Sequence, residues 1–135
     1  MKTTIQKNVM LIDDSSIDNF ITTKMIEQSD LTKEITIMES GRKALFFLKE
    51  NTSHIENLPD IIFLDLNMPV LDGFDFLKEF SDFPEVIKKK CQIVVLTSSD
   101  KTEDIHSIIN NRLVKRYLIK PLSVESLDDL SNLFK

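Results

Sequence analysis

Apolar residues in this chain fall in short runs, and four of those runs close on polar groups. Val9-Met10-Leu11-Ile12 runs into Asp13-Asp14, and Ile61-Ile62-Phe63-Leu64 runs into Asp65. Ile93-Val94-Val95-Leu96 runs into Thr97-Ser98-Ser99, and Tyr117-Leu118-Ile119 runs into Lys120-Pro121. Runs this short and this apolar predict buried strands. A further strand is predicted over 34–39, where Ile35 and Ile37 alternate with polar neighbours.

Between the runs the apolar spacing becomes helical. Ser15 and Ser16 are N-cap types, and Ile17, Phe20, Ile21 and Met25 follow on one helical face. Ser40 can cap a helix that places Ala44, Leu45 and Leu48 together. A helix after Gly73 turns Phe74, Leu77 and Phe80 or Phe83 inward, and Pro84 leaves 84–91 irregular. A helix over 103–111 turns Ile105, Ile108 and Ile109 inward, and the next strand covers 116–119. The last helix starts near Val124, capped by Ser123, with Leu127, Leu130 and Phe134 at helical spacing.

The result is five β/α units, the α/β class, with a five-stranded parallel sheet covered by helices on both faces. Such sheets build their sites at the carboxyl ends of the strands. Asp13, Asp14, Asp65, Thr97 and Lys120 then meet at one edge, contributed by four strands.

At 135 residues the chain reads as one domain over 1–135, with a core large enough to stand alone. A formal charge of −5 argues against a nucleic-acid partner. Lys88-Lys89-Lys90 is the one basic block and reads as a solvated loop. Cys91 has no partner for a disulfide and reads as a small buried hydrophobe. No apolar stretch of signal length opens the chain, and no segment approaches the ~20 apolar residues of a membrane span. A cytoplasmic protein without a membrane partner is the expectation.

Carboxylates held close together repel unless a cation or proton intervenes. Mg²⁺ prefers oxygen donors, commonly one or two carboxylates with waters and a phosphate oxygen. A lysine and a hydroxyl beside such a group suit phosphoryl chemistry, and a carboxylate can itself become an acyl phosphate. Taken singly, each piece has a plainer reading. The Asp pair can be a helix cap, Thr97 a strand-end hydroxyl, Lys120 a turn residue and Tyr117 half-buried packing. Their joint occurrence defeats those readings, whereas His54 and His106 read as surface residues.

The chain resembles the response-regulator receiver domains, the family that includes the chemotaxis response regulator. The resemblance covers essentially the whole chain. It is carried by Asp13-Asp14, by Asp65-Leu66-Asn67-Met68-Pro69 with Asp72-Gly73, by Thr97-Ser98, and by Tyr117 three residues before Lys120-Pro121. It implies a doubly wound, flavodoxin-like (βα)5 fold. It also implies a regulator of a two-component phosphorelay that is not a turnover enzyme. Because the sequence ends directly after the last helix, a stand-alone regulator with no output domain is the expectation.

Under that resemblance Asp65 accepts a phosphoryl group from a histidine kinase or histidine phosphotransfer protein. Asp14, Asp13 and Asp65 hold Mg²⁺, with Mn²⁺ as an alternative, and Asn67 contributes its main-chain carbonyl. Lys120 and Thr97 contact the phosphoryl group, Thr97 and Tyr117 form the switch, and the bond to Pro121 is cis. The signal passes by phosphorylation-dependent binding to a protein target. The face formed by the 105–109 helix, the last strand and the last helix is the one receivers commonly use for output or dimerisation.

Two other readings compete with this one. A haloacid-dehalogenase-like phosphatase requires an acid two residues after its nucleophile, and Asn67 stands there. A non-phosphorylated interaction module would not require every chemical group to be retained. Three departures from the family pattern stand out. Leu113-Val114 replaces the common Gly-Ala, so the preceding helix is expected to stop on Asn110 or Asn111 in the left-handed conformation. Ser98 replaces an alanine, and Leu122 replaces a phenylalanine.

Overall fold

A computed structural model describes residues 7–29, 31–98 and 102–134; Lys2 and Ser99 lie outside the described residues. The elements run β1 (Lys7–Ile12), α1 (Ser16–Glu27), β2 (Thr32–Met38), α2 (Gly41–Glu50), β3 (Ile61–Asp65), α3 (Gly73–Phe80), α4 (Glu85–Lys90), β4 (Gln92–Thr97), α5 (Thr102–Ile109), β5 (Val114–Ile119) and α6 (Val124–Leu133). The strands form one sheet in the order β2-β1-β3-β4-β5, and every pairing is parallel.

Side chains alternate across a strand, so the apolar runs feed two cores at once. Met10, Ile12, Ile62, Leu64, Ile93 and Val95 pack toward α2, α3, α4 and α5. Val9, Leu11, Ile61, Phe63, Val94 and Leu96 pack on the opposite face toward Ile26 of α1 and Leu127 and Leu130 of α6. This is why the runs in β1, β3 and β4 contain no polar residue: neither face meets water, whereas the edge strand β5 leaves Ile119 exposed. Each such side chain contributes about 1.5–3 kcal/mol on burial, against about 1–2 kcal/mol of backbone entropy per ordered residue.

The larger core is anchored by aromatics. Phe76 and Phe80 stack with centroids 5.9 Å apart, and Phe80 meets Phe83 at 5.2 Å. Phe74 is half-buried against the same cluster, and Phe80 and Phe83 are both buried in it, so both members of that alternative turn inward. On α2, Ala44, Leu45 and Leu48 are buried as expected. Ser40, Ser15 and Ser123 cap their helices by accepting N–H bonds from Lys43, Asp18 and Ser126.

Several expectations are corrected. In α1 the buried residues are Asn19, Thr22 and Ile26, while Ile17, Phe20 and Ile21 are exposed. The helix turns a more polar face inward because Asn19 donates from Nδ2 to the carbonyl of Asp13 at 2.9 Å. Residues 84–91 are not irregular, because Pro84 opens α4 and Ile87 is driven into the core. The lysine run is therefore helical. Lys88 pairs with Glu85 at 3.0 Å and Lys90 pairs with Asp60, so neither is a free loop cation.

On α5, Ile108 is buried and Ile105 partly so, but Ile109 is exposed. Neither Asn110 nor Asn111 adopts a left-handed conformation. The helix ends instead on the Asn111 side chain, whose Oδ1 accepts the N–H of Leu113 at 2.9 Å, while the Asn111 carbonyl accepts Val114 N–H at 3.1 Å. Cys91 is a buried free thiol as expected, and burial pushes it up to about 12. Among the described residues no helix is long and apolar enough to cross a membrane.

Candidate functional site

The strand ends come together because the sheet is in register there. Asp65 lies opposite Leu96, and Thr97 lies opposite Ile119. Two bonds extend the ladder past the strands: Leu66 N–H donates to Leu96 O at 3.0 Å, and Lys120 N–H donates to Thr97 O at 2.8 Å. The second fixes the last backbone unit before the Lys120-Pro121 peptide, which is cis. Asp13 is fixed on the other side, its N–H donating to Met38 O at 3.1 Å.

Asp13, Asp14 and Asp65 each offer a carboxylate oxygen, and these atoms all lie within 4.8 Å of one another. Asp13 and Asp65 are buried and Asp14 is exposed, so the cluster opens to solvent on the Asp14 side. Burial first, and then the charge of Asp13, raise the Asp65 carboxyl from its ordinary 3.8 to about 6. Lys120 and the backbone N–H of Asn67 pull the other way but do not offset the rise.

The Lys120 ammonium enters this cluster. Its Nζ lies 2.8 Å from Asp13 Oδ2, 2.9 Å from Asp18 Oδ2 and 3.4 Å from Asp65 Oδ1. Burial opposes the ammonium's charge, but the hydrogen bonds to Asp13 and Asp18 and the charge of Asp65 outweigh it and raise the pKa. Thr97 is fully buried at the end of β4. Tyr117 is half-buried against the larger core, in register with Val95. Asn67 and Pro121 are exposed. His54 is exposed, 3.9 Å from Glu56 on the segment leading into β3, and His106 is exposed on α5.

The fold thus brings Asp13, Asp14, Asp65 and Lys120 into one cluster, with Thr97 at the adjoining strand end. Asp18 and Asn19 complete the surroundings, and neither stood out in the sequence. A signal for Asp18 was available: it lies on the first turn of the helix that the Asp pair opens. The donor set suits a hard divalent cation. It is all oxygen and carries more negative charge than one ammonium neutralises, and burial makes that charge unfavourable without a counter-ion.

Comparison with known proteins agrees. Residues 9–132 match the response regulator receiver domain family. Response regulator Rcp1 of Synechocystis sp. is 32% identical over 124 residues, covering 90% of this chain and 81% of that protein. A two-component response regulator from Cytophaga hutchinsonii has a crystal structure that superposes with a TM-score of 0.87 at 31% identity, covering 97% of each chain. The Mn²⁺-bound form of Rcp1 superposes with a TM-score of 0.70 at 27% identity, covering 95% of this chain and 91% of that one. This chain belongs to the response regulator receiver domain family, the phosphoacceptor domains of two-component signalling.

Proposed function

We propose that Asp65 is the phosphoacceptor and that the histidine of a kinase or phosphotransfer protein is the donor. The observation that carries this reading is the convergence of three carboxylates with the Lys120 ammonium at the carboxyl edge of the sheet. A carboxylate oxygen of Asp65 attacks phosphorus and forms the acyl phosphate. The phosphorus–nitrogen bond to histidine breaks, and the imidazole leaves with the electron pair. At neutral pH a carboxyl titrating near 6 is mostly ionised and able to attack.

Asp13, Asp14, Asp65 and the main-chain carbonyl of Asn67 would hold Mg²⁺, or Mn²⁺ in its place. The ion would supply positive charge to the transferring phosphoryl oxygens. Lys120 stabilises the same charge from the α1 side, and the Thr97 hydroxyl does so from the end of β4. Tyr117, behind Thr97 on the neighbouring strand, reads out the change. The chemistry of the site is confined to its own phosphorylation and dephosphorylation. A cytoplasmic location fits a histidine-kinase donor.

The donor docks on α1. Its supporting observation is an apolar stripe beside the site: Ile17, Phe20 and Ile21 are 71%, 64% and 48% exposed. The α5–β5–α6 face, where Ile109, Ile119 and Val124 are exposed, is the output or pairing surface. Sedimentation with and without beryllofluoride tests the pairing, and an unchanged monomer in both rejects it.

The deciding experiment is labelling by acetyl phosphate. Labelling requires Mg²⁺ and disappears in Asp65→Ala; robust labelling of that variant at another residue overturns the assignment. For the docking face, Ile17→Ala with Phe20→Ala slows transfer from a protein donor and leaves acetyl phosphate labelling intact. Equal slowing with both donors removes the docking role.

A further inference from the structure

Lys120 has three N–H donors and three carboxylates around it, but the three are not equivalent. Asp13 and Asp65 belong to the cluster that can hold a cation, and Asp18 does not. Asp18 nevertheless comes as near to Nζ as Asp13 does, 2.9 Å against 2.8 Å. Its backbone is fixed too: Asp18 N–H donates to Ser15 Oγ at 3.2 Å, which seats the residue in the first turn of α1. Asp18 therefore offers Lys120 a carboxylate carried on a fixed backbone, with no other duty in the site.

We propose that Asp18 is a positioning residue for phosphoryl acceptance, holding the Lys120 ammonium beside Asp65 while Asp13 is engaged by a cation. The inference rests on the reading of Asp65 as the phosphoacceptor. A lysine side chain has four rotatable bonds, and its contact with a developing phosphoryl charge is effective only if the ammonium is already in place. A cation at the cluster would draw on the carboxylates of Asp13 and Asp65, which also face Lys120. With Asp13 so engaged, Asp18 is the remaining anchor on the α1 side. The residue acts through Lys120 and does not touch the phosphoryl group.

The test uses Asp18→Asn and Asp18→Glu, each alone and combined with Lys120→Ala, in the full chain. Three quantities are measured: the rate of acetyl phosphate labelling, Mg²⁺ affinity by thermal shift, and the mobility of the Lys120 Cε by carbon relaxation. Asp18→Asn is expected to slow labelling about tenfold and raise Lys120 mobility, with Mg²⁺ affinity changed by less than about twofold. Asp18→Glu restores most of the rate. In the Lys120→Ala background, Asp18→Asn has no further effect.

An unchanged rate overturns the proposal, as does equal slowing without Lys120 or a parallel fall in Mg²⁺ affinity. If the wild-type chain takes no label from any donor, the phosphoacceptor reading fails. Lys120 relaxation then decides the positioning role separately: greater mobility in Asp18→Asn sustains it, and unchanged mobility removes it.

Discussion

The Lys120 ammonium stops 3.4 Å from Oδ1 of Asp65, at the outer limit of a hydrogen bond. Its attraction is too weak to compensate for the burial of Asp65 and the neighbouring charge of Asp13, so the carboxyl titrates near 6 rather than at 3.8. Between those values the folded chain binds a proton that the unfolded chain has released. Stability therefore falls as pH rises through that window and stays lower above it. Without divalent cations, Asp65→Asn should stabilise the fold by about 2–3 kcal/mol at pH 7.5, and the gain should vanish near pH 3.5. Urea unfolding across a pH series measures this, and an equal gain at both ends would contradict it.

Divalent cations should reverse that penalty. Adding Mg²⁺ at a hundred times its dissociation constant stabilises by about 2.7 kcal/mol and flattens the pH dependence. Asp14 is the exposed member of the cluster. Asp14→Asn should accordingly leave metal-free stability nearly unchanged while removing most of the Mg²⁺-induced rise in Tm. Thermal scans with Mg²⁺ and with chelator separate the two effects.

Gly73 opens α3 directly beneath the site, with its N–H donating to Leu66 O at 2.9 Å. A Cβ there would lie 2.8 Å from Leu66 Cα and 3.0 Å from Asp65 O, both backbone atoms that cannot swing aside. Gly73→Ala should cost about 1–3 kcal/mol and lower phosphorylation as well, because relieving the clash moves the Asp65 backbone. Denaturation and labelling rates taken together check this, and a stability loss with full labelling would show that α3 yields instead.

Val70 has φ of 67°, the only positive value at a non-glycine among the described residues, and its side chain is 97% exposed. Leu71 N–H donates to Pro69 O at 2.8 Å, which makes Val70 the centre of a γ-turn of the strained hand. A β-branched residue there costs about 1–3 kcal/mol, partly offset in a glycine variant by greater freedom of the unfolded chain. Val70→Gly should stabilise by about 1 kcal/mol in urea. A loss of stability would show that the valine is relaxed.

The strand ends were legible in the sequence because burial on both faces leaves an uninterrupted apolar run, and its last residue marks the edge. Asp65 and Thr97 were placed that way, and the ends of β3 and β4 fall where the runs stop. The inward face of α1 was not legible, since counting apolar residues selects Ile17, Phe20 and Ile21, which face solvent. Asn19 goes inward because its amide reaches the Asp13 carbonyl, and Thr22 is buried on the same helix. Helix α4 was hidden because Pro84 looks like a breaker, although proline is well suited to a helix start. Asp18 escaped notice because its partner lies 102 residues away.

The bond between Lys120 and Asp13 spans 107 residues and joins the end of the last strand to the end of the first. Closing so long a segment is entropically unfavourable until the intervening strands have paired. A chain emerging from the ribosome therefore carries Asp13, Asp14 and Asp65 well before it carries their ammonium. Competence to receive a signal should arise at the end of folding, so nascent or truncated chains that lack β5 remain silent to the donor.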